Sequence, residues 1–161
     1  MHIRTLLIAA GMFVGTTVAA SAFEPFYSIG GQHKTIHPSG ANDELLATQE
    51  QTDGQLGFVV LDGDGPGANI VHASRAEYWY VLEGTYRFTL GDKTFEGGPG
   101  TFVAAPAGTP HSIQRTSGTG RWLAVFSPGG YEHFFMDWEA QGLSPGPELG
   151  VLEKRYGLTR P

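Results

Sequence analysis

Three residues of this chain carry side chains fit for metal ligation or proton transfer, at spacings that a β-fold can bring together. His72 is followed five residues later by Glu77, in "HASRAEYWYVLEG" (72–84). His111 closes "GTFVAAPAGTPH" (100–111), where Gly100, Pro106, Gly108 and Pro110 force turns just before it. A strand ending at His72, a turn through Ser74-Arg75-Ala76 and a strand returning from Glu77 would let both side chains face one interior. Two imidazoles and a carboxylate form a facial triad, suited to a first-row divalent metal with positions left open for substrate or oxygen. Glu77 could also act as a base when not fully coordinated. Strand alternation puts Glu77, Trp79 and Val81 on one face and Tyr78, Tyr80 and Leu82 on the other. Trp79 would then wall the same pocket, with Ile70, Phe102 and Ile113 as further lining. Plainer explanations stand beside this one. Glu77 could pair with Arg75 or Arg115, His72 could be a hydrogen-bonded core histidine, and His111 could merely begin a strand. An acid inside so apolar a run needs a partner or a metal if buried.

The elements that would position these residues are short strands. Among 161 residues, 24 are Gly and 10 are Pro, which favours many strands joined by turns. Hydrophobic residues at 40% against 16% charged describe a globular chain of one domain with a real core. β-like runs fall at Leu45–Thr48, Leu56–Leu61, Ile70–Ala73, Glu77–Leu82, Thr85–Leu90, Thr94–Glu96, Thr101–Ala105, Ser112–Arg115 and Trp122–Phe126. Gly91-Asp92 is a two-residue hairpin signal, and Ser117-Gly118-Thr119-Gly120 reads as a second hairpin turn. With no helix between them, these strands argue for a sandwich or barrel. Phe23 to Asn42 is polar and turn-rich, an arm over the domain that reaches Glu44 at most. The end differs: Tyr131–Glu139 and Glu148–Tyr156 space their apolar residues as short helices, a tail over 131–157 that would cover a sheet edge or close a mouth.

Residues 1–22 read as a secretory signal peptide: Arg4 supplies the positive n-region, Thr5 to Ala20 is uncharged, and Ala20-Ser21-Ala22 is a small-x-small cleavage site. The mature domain would be 23–161, in the periplasm or outside the cell, with no stable membrane insertion. Cysteine is absent, so disulfides and thiol catalysis are excluded. A net charge of -6 argues against nucleic acid or an anionic membrane surface as partner. Other suggestive pieces read as structure. "DGDG" (62–65) lacks the ligands of a calcium loop and is a turn. His33 and His37 precede Pro38 without a helix to align them, and His133 packs on a helix face. Ser74 and Ser112 lack a nucleophile-elbow setting.

The stretch from Ile70 to Arg115 resembles the two motifs of the cupins, small β-barrel proteins. In the first motif Glu77 and Gly84 match at the right spacing, His72 matches the second histidine, and Ile70 occupies the position of the first. In the second motif Gly100, Pro106, Gly108 and His111 match at every spacing, with Arg115 in place of a final Asn. The motif region runs over about 67–115, and "FSPGGYEHFF" with the helical tail is similar to small single-domain cupins of the quercetin-dioxygenase-like group.

The resemblance implies an all-β double-stranded β-helix, or jelly-roll barrel, with short C-terminal helices. It implies a mononuclear iron, manganese, nickel, copper or zinc held by His72, Glu77 and His111. The reaction implied is oxygen-dependent oxidation or cleavage of a small organic, phenolic substrate. Pairing into a homodimer through the 23–42 arm is a further implication. Ile70 cannot ligate a metal, so one alternative stays open: a barrel that has lost its metal and binds or senses a small molecule without catalysis.

Overall fold

A computed structural model describes residues 23–161, and the expected signal peptide, 1–22, lies outside the described residues. Eleven strands and two helices follow in order: β1 (Lys34–Ile36), β2 (Asp43–Ala47), β3 (Gly57–Asp62), β4 (Val71–His72), β5 (Ala76–Glu83), β6 (Tyr86–Leu90), β7 (Lys93–Gly97), β8 (Phe102–Ala105), β9 (His111–Arg115), β10 (Arg121–Ser127), α1 (Glu132–Gln141), α2 (Pro147–Arg155) and β11 (Leu158–Thr159). Every pairing is antiparallel. One sheet runs β1-β2-β3-β10-β5-β8. The other consists of β7-β6-β9 and the pair β11-β4, joined by a bridge between Ile70 and His111. Val59, Trp79, Trp122 and Phe126 from the first sheet meet Phe88 and Ile113 from the second in a single core. This two-sheet layering is the jelly roll that the resemblance implies.

Local chemistry explains the turns. Gly91, with φ 61, opens the two-residue loop between β6 and β7, where Leu90 pairs with Lys93. Gly84 has φ 80, and a Cβ there would lie 2.3 Å from the Thr119 carbonyl oxygen, so the last glycine of the first motif admits no side chain. The second expected hairpin is a correction. β9 pairs with β6, whereas β10 pairs with β3 and β5, so Ser117–Gly120 carries the chain from one sheet to the other. The arm also contributes structure: β1 forms the sheet edge and buries Ile36 completely.

The tail forms both predicted helices. Pro147 sits in the first turn of α2, where its missing N–H costs nothing. The α1 entrance is pinned by Glu132, whose buried carboxylate accepts the amides of Gln49 at 2.6 Å and Gly130 at 2.7 Å. Gly157 (φ 76) then turns the chain into β11, a strand the sequence reading missed, which pairs Leu158 with His72 and Thr159 with Val71. No helix among the described residues is long and apolar enough to cross a membrane.

One buried carboxyl on β2 makes the fold pH-sensitive. Asp43 on β2 is buried and accepts the Asp62 amide at 2.9 Å. Burial pushes its carboxyl up to about 7, from 3.8. Between those values the folded chain holds a proton that the unfolded chain lacks, so stability falls as pH rises through this window. The slope is at most about 1.4 kcal/mol per pH unit. Urea titrations at pH 5 and pH 8 should therefore show Asp43→Asn losing less stability than the parent protein. Parallel losses in the two proteins would disprove the assignment.

Candidate metal centre

The site is assembled around β4, a two-residue strand held on both sides. On one side it pairs with β11. On the other, Ile70 and His111 exchange both backbone hydrogen bonds, at 2.8 and 3.0 Å. That bridge puts the Ile70 and His111 side chains on one face, and two-residue alternation adds His72 to it. Gly108 (φ 78) donates its N–H to the His72 carbonyl at 2.9 Å, which ties the turn of the second motif to the histidine of the first. Glu77 arrives on β5 from the opposite sheet, paired with Phe126 and Ala105.

His72, Glu77 and His111 come together, all buried, at 1%, 4% and 1% exposure. Glu77 Oε2 lies 3.0 Å from His72 Nε2 and 3.1 Å from His111 Nε2. Glu77 Oε1 accepts the Trp79 indole N–H at 2.6 Å. His111 Nδ1 stands 2.7 Å from the Thr109 carbonyl, which can only accept, so Nδ1 carries a proton. In neutral His111 the Nε2 lone pair then faces a carboxylate oxygen, a contact that needs a proton or a cation between the two. Ligand bonds of about 2.1 Å at right angles would place neighbouring donor atoms about 3.0 Å apart. The observed spacings fit that edge, and the donor set of two imidazoles and a carboxylate fits a divalent transition metal. His72 Nδ1, by contrast, has no hydrogen-bond partner.

The plainer explanation for Glu77 does not match the geometry. Arg75 donates to the Gly129 carbonyl and lies over the Tyr131 ring, and Arg115 pairs with Asp64. Burial would push the Glu77 carboxyl up, but hydrogen bonding with His111 and His72, which needs a proton between each ring and the carboxylate, holds it down at about 2. Such a carboxylate is a weak base, and both of its oxygens are engaged.

Three of the four expected pocket residues face this interior: Ile70, Trp79 and Ile113 are buried in the same core. Phe102 does not. It pairs with outward-facing Tyr80, is 63% exposed and stacks on Tyr78 on the outer face of the sheet. Its neighbour Val103 is the inward residue. The sequence reading missed Tyr131, whose ring stands edge-on to His72 at 4.4 Å, with Phe126 at 6.1 Å. Its only signal was a lone aromatic after Gly129-Gly130. His33 and His37 make separate contacts, to Glu44 and to the Ala41 carbonyl. A second acidic group, Glu50, Glu132 and His133, is the latch at the α1 entrance: the Glu132 oxygens are held by backbone amides.

The low carboxyl value has a consequence in acid. Glu77 takes up its proton near 2 when folded and near 4.5 when free, so its stabilising contribution is complete above 4.5 and lost as pH falls towards 2. Metal-free protein should lose stability between pH 5 and pH 3 more steeply than Glu77→Gln, as read by urea unfolding.

Known proteins share the fold and the motif region. Residues 55–126 match the family model described as a cupin domain. The chain is 36% identical over 115 residues to quercetin 2,3-dioxygenase of Bacillus subtilis, a match that spans 69% of this chain and 34% of that enzyme. It thus covers about a third of that relative's length. An uncharacterized protein of Streptomyces coelicolor is 31% identical over 97 residues, 53% of this chain and 91% of its own. Among solved structures, KdgF from Halomonas sp. superposes with a TM-score of 0.57 at 19% identity, covering 67% of this chain and 99% of the other. Fold, both motifs and a relative matched over nearly its whole length place this chain in the cupin superfamily.

Proposed function

We propose that this cupin is an exported, mononuclear metal-dependent oxidoreductase that acts on a small aromatic, phenolic compound with dioxygen as oxidant. One observation carries the reading: two buried imidazole nitrogens converge on a single carboxylate oxygen at 3.0 and 3.1 Å. His72, Glu77 and His111 would hold the ion. When bound it would supply a Lewis-acidic centre and, if redox-active, an electron source for dioxygen chemistry.

The chain's own residues shape what enters. Ile70 stands beside His111 without a donor atom, so one side of the centre is left apolar and free of protein ligands. Trp79 and Ile113 add aromatic and branched surface on the same side of the sheets. Such walls favour a flat, weakly polar ligand and exclude water. Similarity to part of a quercetin 2,3-dioxygenase supports a phenolic substrate class.

A non-catalytic binding or sensing role is the second reading, and Ile70 is the residue that favours it. Metal analysis separates the two. Purified protein should hold close to one transition-metal ion per chain and lose it in His111→Ala. Ile70→His should tighten the ion by about tenfold to a hundredfold, because it adds a fourth donor. Protein without stoichiometric metal, and without oxygen uptake on addition of phenolic compounds, would refute the first reading. Export is tested separately. Full-length chain expressed in a Gram-negative host should appear outside the cytoplasm with Phe23 as its first residue, and protein retaining Met1 in the cytoplasm would rule export out.

A further inference from the structure

We propose that Trp79, besides belonging to the apolar interior around the centre, is a positioning residue for the metal ligands. The inference rests on the metal-dependent reading above and deepens it. Trp79 lies one alternation beyond Glu77 on β5, which sends both side chains into the same interior. Its indole N–H donates to Glu77 Oε1 at 2.6 Å. The same ring stands edge-on to His111, at 5.3 Å between centroids and 67° between planes. One side chain therefore touches two of the three ligands.

The rest of the ring is clamped. Phe88 stacks on it at 5.9 Å and Trp122 meets it edge-on at 5.7 Å, and only 1% of its surface is exposed. A residue held so tightly transmits its own fixed orientation to whatever it hydrogen-bonds. The effect is to divide the Glu77 carboxylate. Oε1 is turned towards the indole and Oε2 alone faces both histidines. Trp79 thereby makes Glu77 a one-oxygen donor. With Ile70 already withholding a donor, the protein contributes three donor atoms, and the remaining positions stay with the substrate and oxidant. Partners that orient a metal ligand commonly change metal affinity by about tenfold to a hundredfold when removed.

The molecule contains its own control. Trp122 is as deeply buried, at 2% exposure, yet its Nε1 has no hydrogen-bond partner. Phenylalanine at either position removes an indole N–H and shrinks the ring in the same core. Only at position 79 does it also remove a bond to a ligand.

The test is a cobalt(II) titration of metal-stripped full-length protein, followed by visible absorption and by competition with a chelator. Trp79→Phe should bind cobalt about tenfold to a hundredfold more weakly. Its ligand-field bands should change shape as Glu77 is released to offer both oxygens. Trp122→Phe should match the parent in both readouts. Equal affinity and an unchanged spectrum in folded Trp79→Phe would overturn the inference, as would an equal loss in Trp122→Phe. If Trp79→Phe does not fold, indole ¹H–¹⁵N resonances of the parent protein decide during zinc(II) titration. The Trp79 signal should move on saturation while that of Trp122 stays in place, and an unmoved Trp79 signal overturns the proposal. If the parent binds neither cobalt nor zinc, the metal-dependent reading itself fails, a result distinct from equal binding by parent and variant.

Discussion

The fold is organised around a negative charge that has no access to water. A carboxylate enclosed between two sheets is costly unless every oxygen is met by a donor or a cation. Glu77 meets that condition through His72, His111 and Trp79, each delivered by a different constraint. Trp79 comes with the strand itself. His111 comes through β9 and its bridge to Ile70. His72 comes on a strand of two residues, too short to hold its place alone, and is fixed by the Gly108 amide and by β11. The positive φ of Gly108 is thus a requirement of the site as much as of its turn.

How far the sequence reveals this depends on whether the determining contacts are local. The candidate trio was legible because each member sits in a motif whose turns fix its strand position, and the structure brings all three together. Ile70, Trp79 and Ile113 followed from alternation, since each lies two residues from one of the trio. Phe102 failed for the same reason reversed. "FVAA" is apolar at both parities, so nothing local says which face is inward, and only its pairing with Tyr80 decides. Ser117–Gly120 has the composition of a hairpin, but the sheets to which its flanking strands belong are settled by partners distant in sequence. β11 is two residues long, below what periodicity can register, and Tyr131 reaches His72 only because the α1 latch aims it there.

Isoleucine at position 70 does more than withhold a donor atom. It exchanges backbone hydrogen bonds with His111, so the strand geometry needs no imidazole there. The site is consequently asymmetric: His111 has a carbonyl behind its ring, while His72 has none. Two histidines of one centre then differ in how firmly each is oriented, and the firmer of them is also the one braced by Trp79.

The pairing of β11 with β4 has a kinetic meaning. His72 and His111 are almost wholly buried, so any solute reaching them must first find part of the shell displaced. One part of that shell is the two-residue ladder between Leu158–Thr159 and Val71–His72. Short terminal ladders open far more often than the domain unfolds. Opening of that ladder would uncover the backbone at His72 while leaving the larger sheet paired, so the last strand ties the stability of the chain's end to the order of the His72 ring.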